Sequence, residues 1–175
     1  FEITLYQAVT KGKTMDLIIQ KATELGAHRV VPVLSERSVP DWDEAKAAAK
    51  VEKWRSVCIE SIKQCGSAWL PTLEMPMTPS AAIEDARGAE VSLIATLQSD
   101  AKHPRTHIDG YEAENGQAPK KLAIWVGPEG DYTPAEINQI RGSALPITLG
   151  PLVLRSETAA IYCLAFLNYE LQSRP

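Results

Sequence analysis

Two short segments in the last third of the chain carry the residue types from which a ligand site is built. The first, Gly127-Pro128-Glu129-Gly130-Asp131, follows the apolar run KLAIWV and precedes a helix-start pattern. A glycine-bearing turn at the end of a parallel strand lets backbone approach a ligand closely, and the helix after it offers free amide hydrogens. An ordinary tight strand-to-helix turn has the same spacing. The segment is neither GxxxxGK[ST] nor GxGxxG, which weighs against nucleotide phosphates or a dinucleotide as ligand. The second segment, Leu149-Gly150-Pro151-Leu152-Val153-Leu154-Arg155-Ser156-Glu157-Thr158, runs from a strand end through an apolar loop into a helix. Ser156 suits an N-cap, and Glu157 in the first turn complements the helix dipole. Arg155 has no such explanation, because a cation at a helix N-terminus is unfavourable unless a partner or ligand holds it. An apolar loop between glycine-marked turns can receive a flat ring and read its edge with backbone groups.

The elements that must position these segments follow from periodicity. Residues 2–9 predict a strand. Met15, Ile18, Ala22 and Leu25 recur at helical spacing and stop at Gly26. Residues 29–34 form a β-branched run in which Pro32 predicts an edge or irregular strand. A long helix is expected from about Asp43 to Cys65, and a short one from Thr78-Pro79 to Gly88. Residues 90–97 predict a strand, and residues 98–120, punctuated by Pro104, Gly110, Gly116 and Pro119, a long exposed loop. Then come the strand KLAIWV, a helix opened by the capping box Thr133-Pro134-Ala135-Glu136, the short strand LPITLG, and a helix from Ser156 to Leu171. Strands alternating with helices, and continuous apolar strand runs, predict an α/β fold on a parallel sheet covered on both faces. The last helix carries no charge from Ala159 to Leu167 and is apolar nearly all round. It must be buried on more than one side, in a core or against a second subunit.

With 175 residues, 45% of them hydrophobic, the chain is long enough for one domain with a sizeable core. Its net charge of −4 argues against a globally basic nucleic-acid binder. Lys11, Lys13, Lys21, His28, Arg29 and Arg37 nevertheless bias the first forty residues positive. No apolar stretch approaches the roughly 20 residues that span a bilayer, and the first residues are not a signal peptide, so no membrane partner is expected. Cys58, Cys65 and Cys163 show no metal-ligand spacing. They read as buried reduced thiols of a cytoplasmic protein that needs no metal. The sequence starts at Phe1 in a strand pattern, from which an N-terminal segment is expected to be missing.

IWVGPEGDYTPAEI, followed some twenty residues later by LGPLVLRSETAAIYCL, closely resembles the two C-terminal signature segments of the RsmE family of ribosomal RNA uracil-N3 methyltransferases. KTMDLIIQKATELGAHRVVPVLSERSV is similar to that family's N-terminal segment, and Lys63-Gln64-Cys65 with Pro71 to its middle one. Asp131, Ser67 and Leu152 depart from the family, which often has glycine at the first position and arginine at the other two. The resemblance implies an α/β fold of the SPOUT type: a parallel sheet with helices on both faces and a C-terminal trefoil knot. It makes residues 1–175 the methyltransferase domain, without the N-terminal PUA-like RNA-binding barrel that family members carry. It further implies a homodimer acting on 16S ribosomal RNA of the 30S subunit, with S-adenosylmethionine bound by the knot loops. On this chain those loops supply Thr96, Leu97, Gln98, Val126, Gly127, Pro128, Gly130, Leu149, Gly150, Leu152 and Leu154. Within the implied reaction, Arg155 is the candidate for stabilising a developing uracil anion. Glu129 and Glu157 are the candidate bases, and Lys21 and Arg37 the candidate RNA phosphate contacts. A knotted RNA-binding or scaffold domain without activity, and an α/β protein for another nucleotide-like ligand, are the alternatives.

Overall fold

The computed structural model describes residues 1–38 and 42–174, so Val39, which ends the N-terminal signature segment, lies outside the described residues. Six strands and six α-helices alternate: β1 Glu2–Ala8, α1 Thr14–Glu24, β2 Arg29–Val33, α2 Glu44–Cys65, β3 Thr72–Leu73, α3 Pro79–Asp85, β4 Val91–Ala95, α4 Pro104–Asn115, β5 Lys121–Val126, α5 Pro134–Arg141, β6 Leu145–Ile147 and α6 Ser156–Gln172. All strand pairs are parallel, in the order β3-β2-β1-β5-β4-β6. Strand alternation divides the core. Ile3, Leu5, Leu122 and Ile124 face one apolar cluster with Ile18 of α1, Trp54 of α2 and Leu164 of α6. Tyr6, Ala8 and Trp125 face the other, with Ala82 of α3 and Ile137 and Ile140 of α5. Both faces are therefore covered, as a parallel sheet requires. After β6 at the sheet edge the chain returns to pack α6 on α1, β1 and β5, a route that fits the knotted topology implied by the resemblance.

Three expectations need correction. Residues 98–120 hold helix α4 rather than a long loop. His103 caps it, its Nδ1 accepting the Arg105 amide at 3.3 Å; Pro104 occupies the first turn, and Gly116 closes the helix with φ 72°. Pro104 and Gly116 are start and stop signals here, not loop formers, and fully buried Ile108 anchors the helix to the core. Pro32 does not put β2 at the edge. The carbonyls of Val30 and Pro32 accept amides from Glu74 and Met77, so this side of β2 faces β3 and the chain after it. The missing proline N–H falls on that side, and β3 ends at Leu73 before a single bridge at Met77. Finally, Cys58 and Cys163 are buried but Cys65 is exposed, because no residue in the last turn of α2 reaches the core.

A polar clamp fastens α3 to the sheet. The Arg29 guanidinium donates to both Asp85 oxygens (Nη1 to Oδ2 at 2.6 Å, Nη2 to Oδ1 at 2.9 Å) and to Glu74 Oε1 at 2.8 Å. The Tyr6 hydroxyl donates to Asp85 Oδ2 at 2.6 Å while its ring stacks on Trp125, with centroids 4.3 Å apart. The hydrogen bonds from Arg29 hold the Asp85 carboxyl below its ordinary range, with Tyr6 adding to them against the cost of burial. A depressed carboxylate adds stability above its unfolded pKa and loses it as pH falls through the folded one. Asp85→Asn is expected to cost about 1–3 kcal/mol at neutral pH. Its deficit against wild type should shrink as the pH of denaturant melts is lowered through the carboxylate range. A deficit independent of pH would show that packing, not charge, is what Asp85 supplies.

Candidate functional site

A cavity of about 420 Å³ opens at the C-terminal ends of β4, β5 and β6. Residues 95–98, 126–131 and 148–154, with Ser156 and Ala159, form its wall. In parallel sheets this end collects ligands, because the strand-to-helix turns present free backbone groups there.

The turn after β5 is tightly determined. The Pro128 carbonyl accepts the Asp131 amide at 2.9 Å, and Asp131 takes φ 60°. A Cβ on Gly127 would meet Asp131 Oδ1 at 2.7 Å and the Tyr132 nitrogen at 3.2 Å, so only glycine lets the turn close on the strand. Tyr132 is buried beneath, and its hydroxyl donates to the Val126 carbonyl at 3.2 Å. The capping box of α5 forms as the sequence predicts, and its Glu136 does more than cap. Oε2 accepts the Thr133 amide at 2.8 Å, while Oε1 accepts the Glu36 amide at 2.8 Å and so docks the segment after β2. Arg37, in that segment, donates to the Gly130 carbonyl.

The start of α6 corrects one reading. Arg155, not Ser156, is the N-cap residue, and its side chain makes no capping bond. The Ser156 hydroxyl instead donates to the Gly127 carbonyl at 2.6 Å and accepts Gln7 Nε2 at 3.0 Å; Gln7 also donates to the Ala8 carbonyl at 2.9 Å. Both side chains are buried. The hydroxyl is drawn to a carbonyl at the strand end because nothing else there satisfies that acceptor in a water-poor place. Glu157 stands in the first turn, where it offsets the helix dipole.

All the residues read from the sequence as cofactor loops, Thr96 to Gln98, Val126 to Pro128, Gly130, Leu149, Gly150, Leu152 and Leu154, lie on the wall, and so does Glu129. Arg155 and Glu157 do not. Arg155 is exposed, and its side chain makes no hydrogen bond or ion pair among the described residues. Arg37 is brought to the rim through Gly130. Lys21 is not brought to the site. It sits in the last turn of α1, toward the N-terminal end of the strands, and its ammonium is held by both Glu24 oxygens at 2.7 and 2.9 Å. Sequence reasoning missed Gln7, Asp131 and the docking role of Glu136. Gln7 did leave a signal, a polar residue inside the buried run ITLYQAV.

The chemistry of the wall is selective. Leu97, Leu152 and Val153 are 63, 73 and 77% exposed, so they serve no core and leave an apolar lip for a ligand to cover. Glu129 and Asp131 are the only ionisable side chains on the wall among the described residues. Burial raises the Asp131 carboxyl above its ordinary range, against the opposing Tyr132 amide and Arg37. Such a wall suits a ligand with a flat apolar part and a positive charge, and offers no cationic side chain to phosphate. Among the described residues no group of three His, Cys, Asp or Glu is placed to hold a metal ion, and no helix is long and apolar enough to cross a membrane.

Comparison with known proteins agrees with this chemistry. Residues 1–168 match the family described as RNA methyltransferase domain. The ribosomal RNA small subunit methyltransferase E of Aquifex aeolicus is 32% identical over 95% of this chain and 68% of its own length. A putative methyltransferase of Legionella pneumophila, solved with bound S-adenosylmethionine, has a TM-score of 0.87 at 33% identity, covering 97% of this chain and 66% of that one. The ribosomal RNA small subunit methyltransferase E of Neisseria gonorrhoeae, bound to S-adenosylmethionine, has a TM-score of 0.81 at 27% identity, covering 97% and 66%. The chain thus spans about two thirds of the length of these proteins.

Two substitutions test how the wall is held. Ser156→Ala should cost about 1–3 kcal/mol by leaving the Gly127 carbonyl without its donor. Gly127→Ala should cost at least as much, because the added methyl group must displace the Asp131 carboxylate. Chemical denaturation measures both, and full stability in Gly127→Ala would show that the turn is looser than its geometry indicates.

Proposed function

The chain belongs to the RNA methyltransferase domain family, and on that premise we propose that it transfers the methyl group of S-adenosylmethionine to N3 of a uridine in 16S ribosomal RNA. The observation that carries this reading is the wall itself: three strand-end loops, apolar at the lip, glycine-bearing, and charged among the described residues only by carboxylates. Residues 96–98, 126–131 and 148–154 would hold the cofactor. Leu97, Leu152 and Leu154 suit the faces of the adenine ring, and backbone amides and carbonyls its edge. When bound, S-adenosylmethionine supplies an electrophilic methyl group on a cationic sulfur.

The chain's own part is to bind, to exclude water and to orient the uracil, and positioning of this kind supplies much of the rate. The uracil N3 carries a proton that must leave, which calls for a base or a well-placed cation. In this reading Glu129, exposed on the wall, accepts it. Arg155 follows Leu154 of the wall directly, and its side chain has no protein partner among the described residues. Its guanidinium is free to hold the uracil oxygens and the negative charge that develops on them. Glu157 serves the dipole of α6 rather than the proton. Arg37 at the rim contacts RNA phosphate, which positions the substrate without reading its sequence. The acting form is a homodimer paired through α6, on which Tyr162, Ala165 and Tyr169 make an exposed stripe at helical spacing opposite its buried face.

Calorimetric titration should show binding of S-adenosylmethionine and none of ATP or NAD; the reverse order of preference would overturn the reading. Nucleoside mass spectrometry after reaction with 30S subunits should find N3-methyluridine, and a methyl group at another atom would refute the assigned position. Arg155→Ala should keep cofactor affinity within a few fold and lower turnover about 100-fold or more. Loss of cofactor binding in that variant would make Arg155 a cofactor ligand instead. Sedimentation should find a dimer that becomes a monomer when Tyr162 and Tyr169 are both changed to Glu, substitutions that leave the core untouched.

A further inference from the structure

Asp131 is the only residue other than glycine with a positive φ among the described residues. Glycine takes that conformation freely, whereas a side chain there crowds its own backbone. The turn does not need a charge at this position. Its closing bond runs from the Asp131 amide to the Pro128 carbonyl whatever the side chain is. The local side-chain bond, Oδ1 accepting the Tyr132 amide at 2.8 Å, would be made equally by the neutral amide of asparagine. The Oδ2 atom accepts no hydrogen bond among the described residues, and Asp131 is one of the residues that line the cavity.

The surroundings leave this charge poorly compensated. The cavity segments 95–98 and 148–154 contribute no ionisable side chain. In its own turn the other ionisable group is Glu129, which is exposed and of the same sign. From the segment after β2, Arg37 gives its hydrogen bond to the Gly130 carbonyl rather than to the carboxylate. From α5, Glu136 is occupied by the Thr133 and Glu36 amides and is again negative. Burial accordingly raises the Asp131 carboxyl, and Arg37 offsets this only in part. A half-buried carboxylate in that position gains from a cation brought into the cavity and repels a phosphate.

We infer that Asp131 is a cofactor-recognising residue, whose carboxylate on the cavity wall complements the positive charge of S-adenosylmethionine. This rests on the assignment of S-adenosylmethionine to the cavity. The left-handed backbone is the strain that accompanies a carboxylate at this position, and Gly127 makes room for it.

Calorimetric titration of S-adenosylmethionine into wild type, Asp131→Asn and Asp131→Gly, with thermal melts of each, tests the inference without any turnover. Asp131→Asn should weaken binding about tenfold with little change in melting temperature. Asp131→Gly should weaken it similarly while the melting temperature holds or rises, since the backbone strain is removed; that variant decides the matter should Asp131→Asn fail to fold. Wild-type affinity should fall as pH is lowered through the raised pKa of Asp131, because the protonated acid presents no charge, and Asp131→Asn should lack that decline. Wild-type affinity and an unchanged pH profile in both variants would overturn the inference and make Asp131 a turn residue only. A wild type that binds no S-adenosylmethionine would overturn the cavity assignment itself, a failure visible before any variant is compared.

Discussion

The site depends on one buried hydrogen bond, from the Ser156 hydroxyl to the Gly127 carbonyl at 2.6 Å. It joins the turn after β5 to the first residue of α6, two segments 29 positions apart, and Gln7 at the end of β1 braces it from below. Three elements are thereby held in a single relation: the central strand, its neighbour, and the helix that returns over both. The apolar loop 148–154 hangs between β6 and this fixed point, so its freedom is set by its two ends. Leaving the Gly127 carbonyl unpaired here would cost more than the bond itself contributes.

Around that fixed point the site divides its labour. Gly127 keeps the turn after β5 closed where a side chain would collide with Asp131. Leu97, Leu152 and Val153 make a lip that stays open until something apolar covers it. Charge enters at chosen places only. Asp131 and Glu129 line the cavity, Arg37 is bound to the Gly130 carbonyl at its rim, and Arg155 stands just outside, its side chain with no protein partner among the described residues. A cationic cofactor and an anionic nucleic acid can then approach one end of the sheet without sharing the same charges. The net charge of −4 is no obstacle to such an arrangement, because local placement and not the sum decides what each surface meets.

The tight core and the open site are also separated mechanically. In the clamp, Arg29 at the start of β2 and Asp85 at the end of α3 lie at the end of the sheet away from the cavity, and Tyr6 ties them to β1. The two apolar clusters lock strands and helices from both faces. The loops at the other end therefore inherit a rigid frame and can keep exposed apolar residues without endangering the fold.

Much was legible in the sequence because it depends on local chemistry. Apolar runs and helical spacing determined the alternation of strands and helices, and Asp43, Thr78 and Thr133 marked helix starts that the structure keeps. The glycine turn after β5 and the apolar loop before α6 marked two of the cavity segments by residue type, whereas Thr96 to Gln98 followed only from the family resemblance. Signals that act locally but in two ways misled. Pro104 and Gly116 begin and end a helix as readily as they break one, and a hydroxyl at the start of a helix can cap it or, like Ser156, turn to a carbonyl elsewhere. What no local pattern contains is the partner across space. The insertion of β5 between β1 and β4, the docking of Arg37 on Gly130, the seat of Gln7 under Ser156 and the removal of Lys21 to the far end are contacts between residues distant in sequence. Periodicity decides which face of an element is buried; only the packed sheet decides which element it is buried against.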